Sequence, residues 1–168
     1  YMEGNYKNAM SGFKQYLAKY PDGAFSVTAN YYLADCLSRE NQKQEALSCY
    51  EKVISNPKNI FTEKSLLKVA EINLENKDYE KSKQQYQRLE EIAEISSYKL
   101  QAMDGLMQSY FALSQFDSAI ICANKLLSLD KLDEAVRERA NYTLAKSLLA
   151  NQNTGQAIEE FKRLTKAK

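Results

Sequence analysis

The 168-residue sequence has no histidine and no tryptophan, and only five glycines, two prolines and three cysteines. Each shortage excludes something. Without histidine there is no Ser–His or Cys–His nucleophile pair, and a zinc enzyme loses its commonest ligand. A Ser–Lys dyad needs no histidine, and Ser-x-x-Lys occurs at Ser11, Ser55, Ser65, Ser96 and Ser128. Five scattered hits in a Ser- and Lys-rich chain read as coincidence. No glycine-rich phosphate loop exists, so neither enzyme chemistry nor a cofactor or metal is expected. Scarce glycine and proline favour long helices with short connections. No apolar run approaches the ~18 residues of a membrane span. A net charge of +1 creates no general pull toward nucleic acid or an anionic membrane. Cys36, Cys49 and Cys122 lie in no CxxC and cannot all pair with one another. They read as small apolar residues in helix packing, with a Cys36–Cys49 bridge across one hairpin as the alternative, so they leave the redox compartment open. The carboxylate pairs Glu90-Glu91 and Glu159-Glu160 read as solvated helix faces. The sequon Asn141-Tyr142-Thr143 falls inside an expected helix and is discounted.

What the chain does have is a repeat. Asn5 to Pro21 reads NYKNAMSGFKQYLAKYP. Its small residue, then an aromatic four places on, then an aliphatic, is Ala9, Phe13, with Tyr16 and Leu17. The triplet returns as Ala46, Tyr50, Val53; as Ser82, Tyr86, Leu89; as Ala119, Ala123, Leu126; and as Ala157, Phe161, Leu164. The steps are 37, 36, 37 and 38 residues. A near-constant period of this size marks a stack of supersecondary units. A second element keeps time with the first. Leu33-Ala34, Val69-Ala70, Leu106-Met107 and Leu144-Ala145 each begin thirteen residues before a triplet. Each unit is therefore two helices that meet through small residues, with the triplet on one face. Where Met107 replaces a small residue, Ala123 replaces the aromatic, and the two should compensate.

The expected helices are 5–19, 25–39, 42–54, 62–75, 78–93, 97–113, 116–129, 133–150 and 153–165: one orphan and four hairpins. Gly4 should stop a preceding helix and Asn5 cap the first one. Asp78 is expected as an N-cap and Ser96-Ser97 as a capping signal. The chain reads as a single domain over residues 1–168. It comprises a half repeat at 1–21 and full repeats at 24–57, 60–95, 97–130 and 133–166, and it is expected to be a fragment of a longer chain. The orphan helix, with Ala9, Phe13, Tyr16 and Leu17, and the last, with Ile158, Phe161 and Leu164, should leave apolar faces at the ends. Weak self-association or disorder is expected there.

The pattern resembles the tetratricopeptide repeat family. The resemblance rests on Leu33, Ala34, Leu37, Ala46, Tyr50, Val53 and Pro57 in the fullest copy. Gly4, Asn5, Tyr6, Ala9, Phe13 and Pro21 carry it in the first. It implies an all-α fold of about nine helices, an αα-hairpin superhelix wound right-handed, without catalysis. It also implies a concave groove lined by the first helix of each pair, which would hold a peptide or helix of a protein partner. The family's clamp for a carboxylate terminus is excluded. Lys64 and Lys68 could form its basic half, but Tyr31 and Asp35 stand where it needs Lys and Asn.

Removing the hairpin-packing residues leaves the candidate groove. It comprises Tyr31, Tyr32, Asp35 and Arg39; Lys68, Glu71 and Glu75; Asp104 and Gln108; and Arg139, Tyr142 and Lys146. Their mixed charges favour a polar protein partner over an anionic polymer. Tyr31 and Tyr142 are expected either in the groove or packed between repeats. The stretch from Phe13 to Leu37 is similar to that of bacterial cell-envelope members of the family, the TolA-binding periplasmic proteins and the lipoprotein partners of outer-membrane assembly. That similarity implies a scaffold in the periplasm or at the outer membrane. The other expectation is a cytoplasmic sensor or dimerisation segment of a larger regulatory protein.

Overall fold

The computed structural model describes residues 6–166, which form nine α-helices and no strand. The helices are α1 (Tyr6–Lys19), α2 (Ser26–Arg39), α3 (Lys43–Ile54), α4 (Thr62–Glu75), α5 (Tyr79–Ile92), α6 (Ser96–Ala112), α7 (Phe116–Leu127), α8 (Glu134–Ala150) and α9 (Thr154–Lys166). Gly4 and Asn5, expected to stop one helix and cap the next, lie outside the described residues. The fold is an all-α helical repeat. It divides into two compact units, residues 1–72 and 73–168.

In the first unit α2 packs against both α1 and α3. The repeat explains the contact: Leu33, Ala34 and Leu37 of α2, and Ala46, Tyr50 and Val53 of α3, are all buried. Alanine at the contact lets helix axes approach closely, and the Tyr50 ring fills the space beyond. Helix α1 has the same pattern but buries none of its residues; Ala9, Phe13, Tyr16 and Leu17 are half-covered.

In the second unit each of α5 to α9 packs on the next in sequence, and α6 also touches α8. Met107, Ala123, Leu126, Ala140, Leu144, Leu148 and Ala157 form one buried cluster across α6 to α9. Met107 and Ala123 are both fully buried in it, the large residue on one helix and the small one on the other. Ser82 stands where the other copies have alanine. Its hydroxyl is not orphaned: Ser109 Oγ lies 3.2 Å away and also reaches the Gly105 carbonyl oxygen at 2.8 Å. Gly105 itself lies under the ring of the buried Tyr86.

The hairpin turns repeat as strictly as the helices. Asn41, Lys77, Ser114 and Gln152 all have φ between 58° and 64°. The following amide in each turn bonds a carbonyl five residues back: Gln42 to Leu37, Asp78 to Asn73, Gln115 to Tyr110 and Asn153 to Leu148, at 2.8–2.9 Å. This is the Schellman closure of a helix C-terminus, which usually takes glycine at the left-handed position. None of the four is glycine.

Two expected caps differ. Asp78 stands just before α5, but its side chain does not close a full N-cap hydrogen bond. Its carboxylate accepts chiefly from the Lys81 ammonium at 2.8 Å and, to a lesser degree, from the Lys81 backbone N–H, and both lower its pKa. Ser96 is already helical, and the residue at the cap is Ile95. Asp133, with ψ of 138°, does cap α8 and accepts from the amides of Ala135 and Val136 at 2.9 and 3.4 Å. Extended backbone at the cap is the geometry that aims the carboxylate at the first turn.

Candidate partner-binding face

The twelve groove candidates lie on α2, α4, α6 and α8, the first helix of each pair. Their side chains fall into three groups.

Two are buried in the first unit. Tyr31 is only 7% exposed. Its ring stacks on Phe61 at 4.3 Å and meets Tyr50 edge-on at 6.2 Å. Tyr32 bridges the same cluster, stacked on Phe13 at 6.1 Å and edge-on to Phe61 at 5.8 Å. The Lys64 ammonium sits 5.5 Å over the Tyr31 ring. Of the two readings of Tyr31, the structure supports packing. Asp35 is also buried and accepts from Arg39 Nε at 3.0 Å. Arg39 then lies 5.4 Å over the ring of Tyr6.

The second group is paired among itself. Arg139 of α8 holds Asp104 of α6 with two bonds, Nε to Oδ1 at 2.9 Å and Nη2 to Oδ2 at 2.6 Å. This planar, two-point pair is the strong form of the interaction, and it raises the Arg139 pKa. These two residues join adjacent first helices. On α4, Lys68 pairs with Glu71 at 2.7 Å.

The third group points outward. Tyr142 is 52% exposed, with the Lys146 ammonium 5.9 Å over its ring. Lys146 and Glu75 are exposed and Gln108 is half-buried. Tyr142 and Tyr31, alike in sequence position, therefore separate: one offers its ring to solvent and the other is core.

Phe61 was not singled out from the sequence. It follows no helical period because it sits in the connection before α4. An aromatic one residue before a helix start is the signal that marks it. The thiols of Cys36, Cys49 and Cys122 are all free, and burial raises each pKa. They remain protonated at neutral pH and are poor nucleophiles. Among the described residues no cluster of metal-ligating side chains converges. No helix there is long and apolar enough to cross a membrane.

A model described as tetratricopeptide repeat matches residues 1–23 and 28–59. No curated protein matches the sequence. Solved structures resemble it over 98% of its length. One is MamA, residues 41 to the end, from Desulfovibrio magneticus, with 16% identity, a TM-score of 0.70 and 86% of that chain covered. Another is a tetratricopeptide repeat protein from Parabacteroides merdae, at 20%, 0.73 and 61%. A third is a putative kinesin light chain from Podosopora anserina with nearly identical TPR-like repeats, at 17%, 0.64 and 87%. At these identities the likeness shows the fold alone. The family model supports tetratricopeptide repeats over the residues it matches.

Proposed function

We propose that the chain is a non-enzymatic scaffold that binds a peptide or helix of a protein partner along its first helices. The observation that carries this is the division of labour on those helices. Leu-Ala or Leu-Met pairs are buried toward the second helix, while Tyr142, Lys146, Glu75 and Gln108 remain presented. A rigid ring beside mobile charged groups is suited to selective protein contact. The lack of histidine, with its consequence for nucleophile activation, supports a binding role over a catalytic one. The stretch from Phe13 to Leu37 lies largely within the matched repeats and supports a bacterial cell-envelope setting, in the periplasm or at the outer membrane. Helix α1, with none of its residues buried, supports weak self-association through that helix.

Site-specific photocrosslinking in the native host tests the reading. A benzoylphenylalanine at Tyr142 or Gln108 should give adducts with an envelope protein. The same probe at the exposed Gln84 of α5 should not. Equal adducts from Gln84 would overturn the placement on first helices. Adducts with cytoplasmic proteins would favour the sensor segment of a larger regulator.

A further inference from the structure

The open pocket at one end of the second unit has a different character from the polar face. It lies where the first turns of α6 meet the segment after α7, and its volume is about 520 Å3. Its apolar lining comes from Leu100 and Met103 of α6 and from Leu129. Leu100 and Met103 share a helix face with Met107 and pack against the buried cluster, so the pocket is an opening into the core wall. Leu129 is 38% exposed, a large apolar residue left uncovered.

The rim is charged. Lys99, Asp130 and Lys131 surround the apolar lining. Among the described residues, neither lysine takes part in an ion pair. The N-terminus of α6, a 17-residue helix with no side-chain cap, opens at the same place. Its positive end adds to the two ammonium groups, so the one carboxylate of Asp130 is outweighed. Asp130 also interrupts any basic stripe of the sort that would follow a nucleic-acid backbone.

We propose that this pocket docks a partner segment in which a large aliphatic or aromatic side chain is flanked by carboxylates. The apolar side chain covers Leu100, Met103 and Leu129, and the carboxylates meet Lys99 and Lys131. This surface does not depend on the first-helix reading, and either can fail without the other.

The test uses the 15N-labelled chain and three short blocked peptides: Asp-Leu-Glu, Asn-Leu-Gln and Asp-Ser-Glu. Asp-Leu-Glu should shift the amides of residues 96–103 and 129–131 and saturate. Neutralising its acids, replacing its leucine with serine, or using the K99E/K131E variant should each weaken the binding about fivefold or more. Equal binding of Asn-Leu-Gln to the unmodified chain would overturn the charge argument, even if the variant failed to fold. Absence of localised shifts would overturn the site. Shifts at these residues on simple dilution, without peptide, would mean that a second copy of the chain covers the pocket, and would also overturn it.

Discussion

Replacing Gly105 with alanine drives a methyl group into the ring of Tyr86. A Cβ built on Gly105 lies 2.5 Å from Cε1 of that ring and closer still to Cε2 and Cζ. Ordinary carbon contacts are about 3.5–4.0 Å, so the ring must withdraw by more than about an ångström. Tyr86 is 3% exposed, and a close-packed interior has little room for such a shift. Overpacking of this kind costs about 1–3 kcal/mol. Alanine gains about 1 kcal/mol over glycine in a helix interior. Because the overlap is with a whole ring, the cost falls in the upper part of its range, and the net loss is about 2 kcal/mol. For a chain of this size that is a fall of about 4–8 °C in melting temperature. Circular dichroism melts and urea titrations measure it. Gly12 is the internal control, since nothing lies within 4 Å of its Cβ position in α1. There the same substitution should stabilise, by up to about 1 kcal/mol. Shrinking the ring in the double variant Gly105→Ala/Tyr86→Leu should recover part of the loss beyond the sum of the single effects. If Gly105→Ala melts at or above the parent, as Gly12→Ala should, then Tyr86 does not rest on bare backbone and the packing of α5 on α6 is misjudged.

Four further outcomes follow from the geometry. Ala46→Leu should cost about 1–3 kcal/mol by overpacking, since Ala46 is fully buried; an unchanged urea midpoint would refute the repeat alignment. Asp133→Ala should lose about 1 kcal/mol with its cap, whereas Asp78→Ala should shift the midpoint less, because the Asp78 carboxylate is engaged mainly by the Lys81 side chain. Lys77 is held at φ of 64°, so Lys77→Gly should stabilise by about 0.5–1 kcal/mol, and a loss would show that its side chain matters more than its backbone. Burial pushes the Tyr50 hydroxyl from its usual 10 up to about 12, against the opposing hydrogen bond with Ser38. The folded state then holds that proton more tightly than the unfolded one. Its contribution is whole below pH 10 and is lost as the pH rises toward 12, on the order of 2 kcal/mol in total; Tyr50→Phe should lose stability less steeply across that window.

The repeat was fully legible because it is a matter of covalent spacing. Ala34, Ala46, Ala70, Ser82, Ala119, Ala145 and Ala157 recur at fixed intervals, and all are buried. A helix turns those intervals into a common face, so periodicity alone specified the helices, the contacts and the matching of Met107 with Ala123. The ends of the helices were less legible. The left-handed turns at Asn41, Lys77, Ser114 and Gln152 carry no glycine to announce them; each is closed by an amide bonding a carbonyl five residues back, which no residue type there signals. Asp78 and Asp133 both stand just before a helix, and the backbone at each (φ −85°, ψ 68° against φ −56°, ψ 138°) together with the Lys81 side chain decides that Asp133 makes the full cap. The partner-binding face was legible only as a set of positions. Tyr31 and Tyr142 occupy similar places on their helices. Whether either ring meets solvent depends on what the rest of the chain puts opposite it: Phe61 from a connection, with no periodic signal, covers Tyr31, while Tyr142 stays open beside Lys146. Likewise Arg139 and Asp104, 35 residues apart, become a single ion pair only because stacking lays α8 beside α6. Spacing along a chain determines which residues share a face, and tertiary packing alone decides what each face meets.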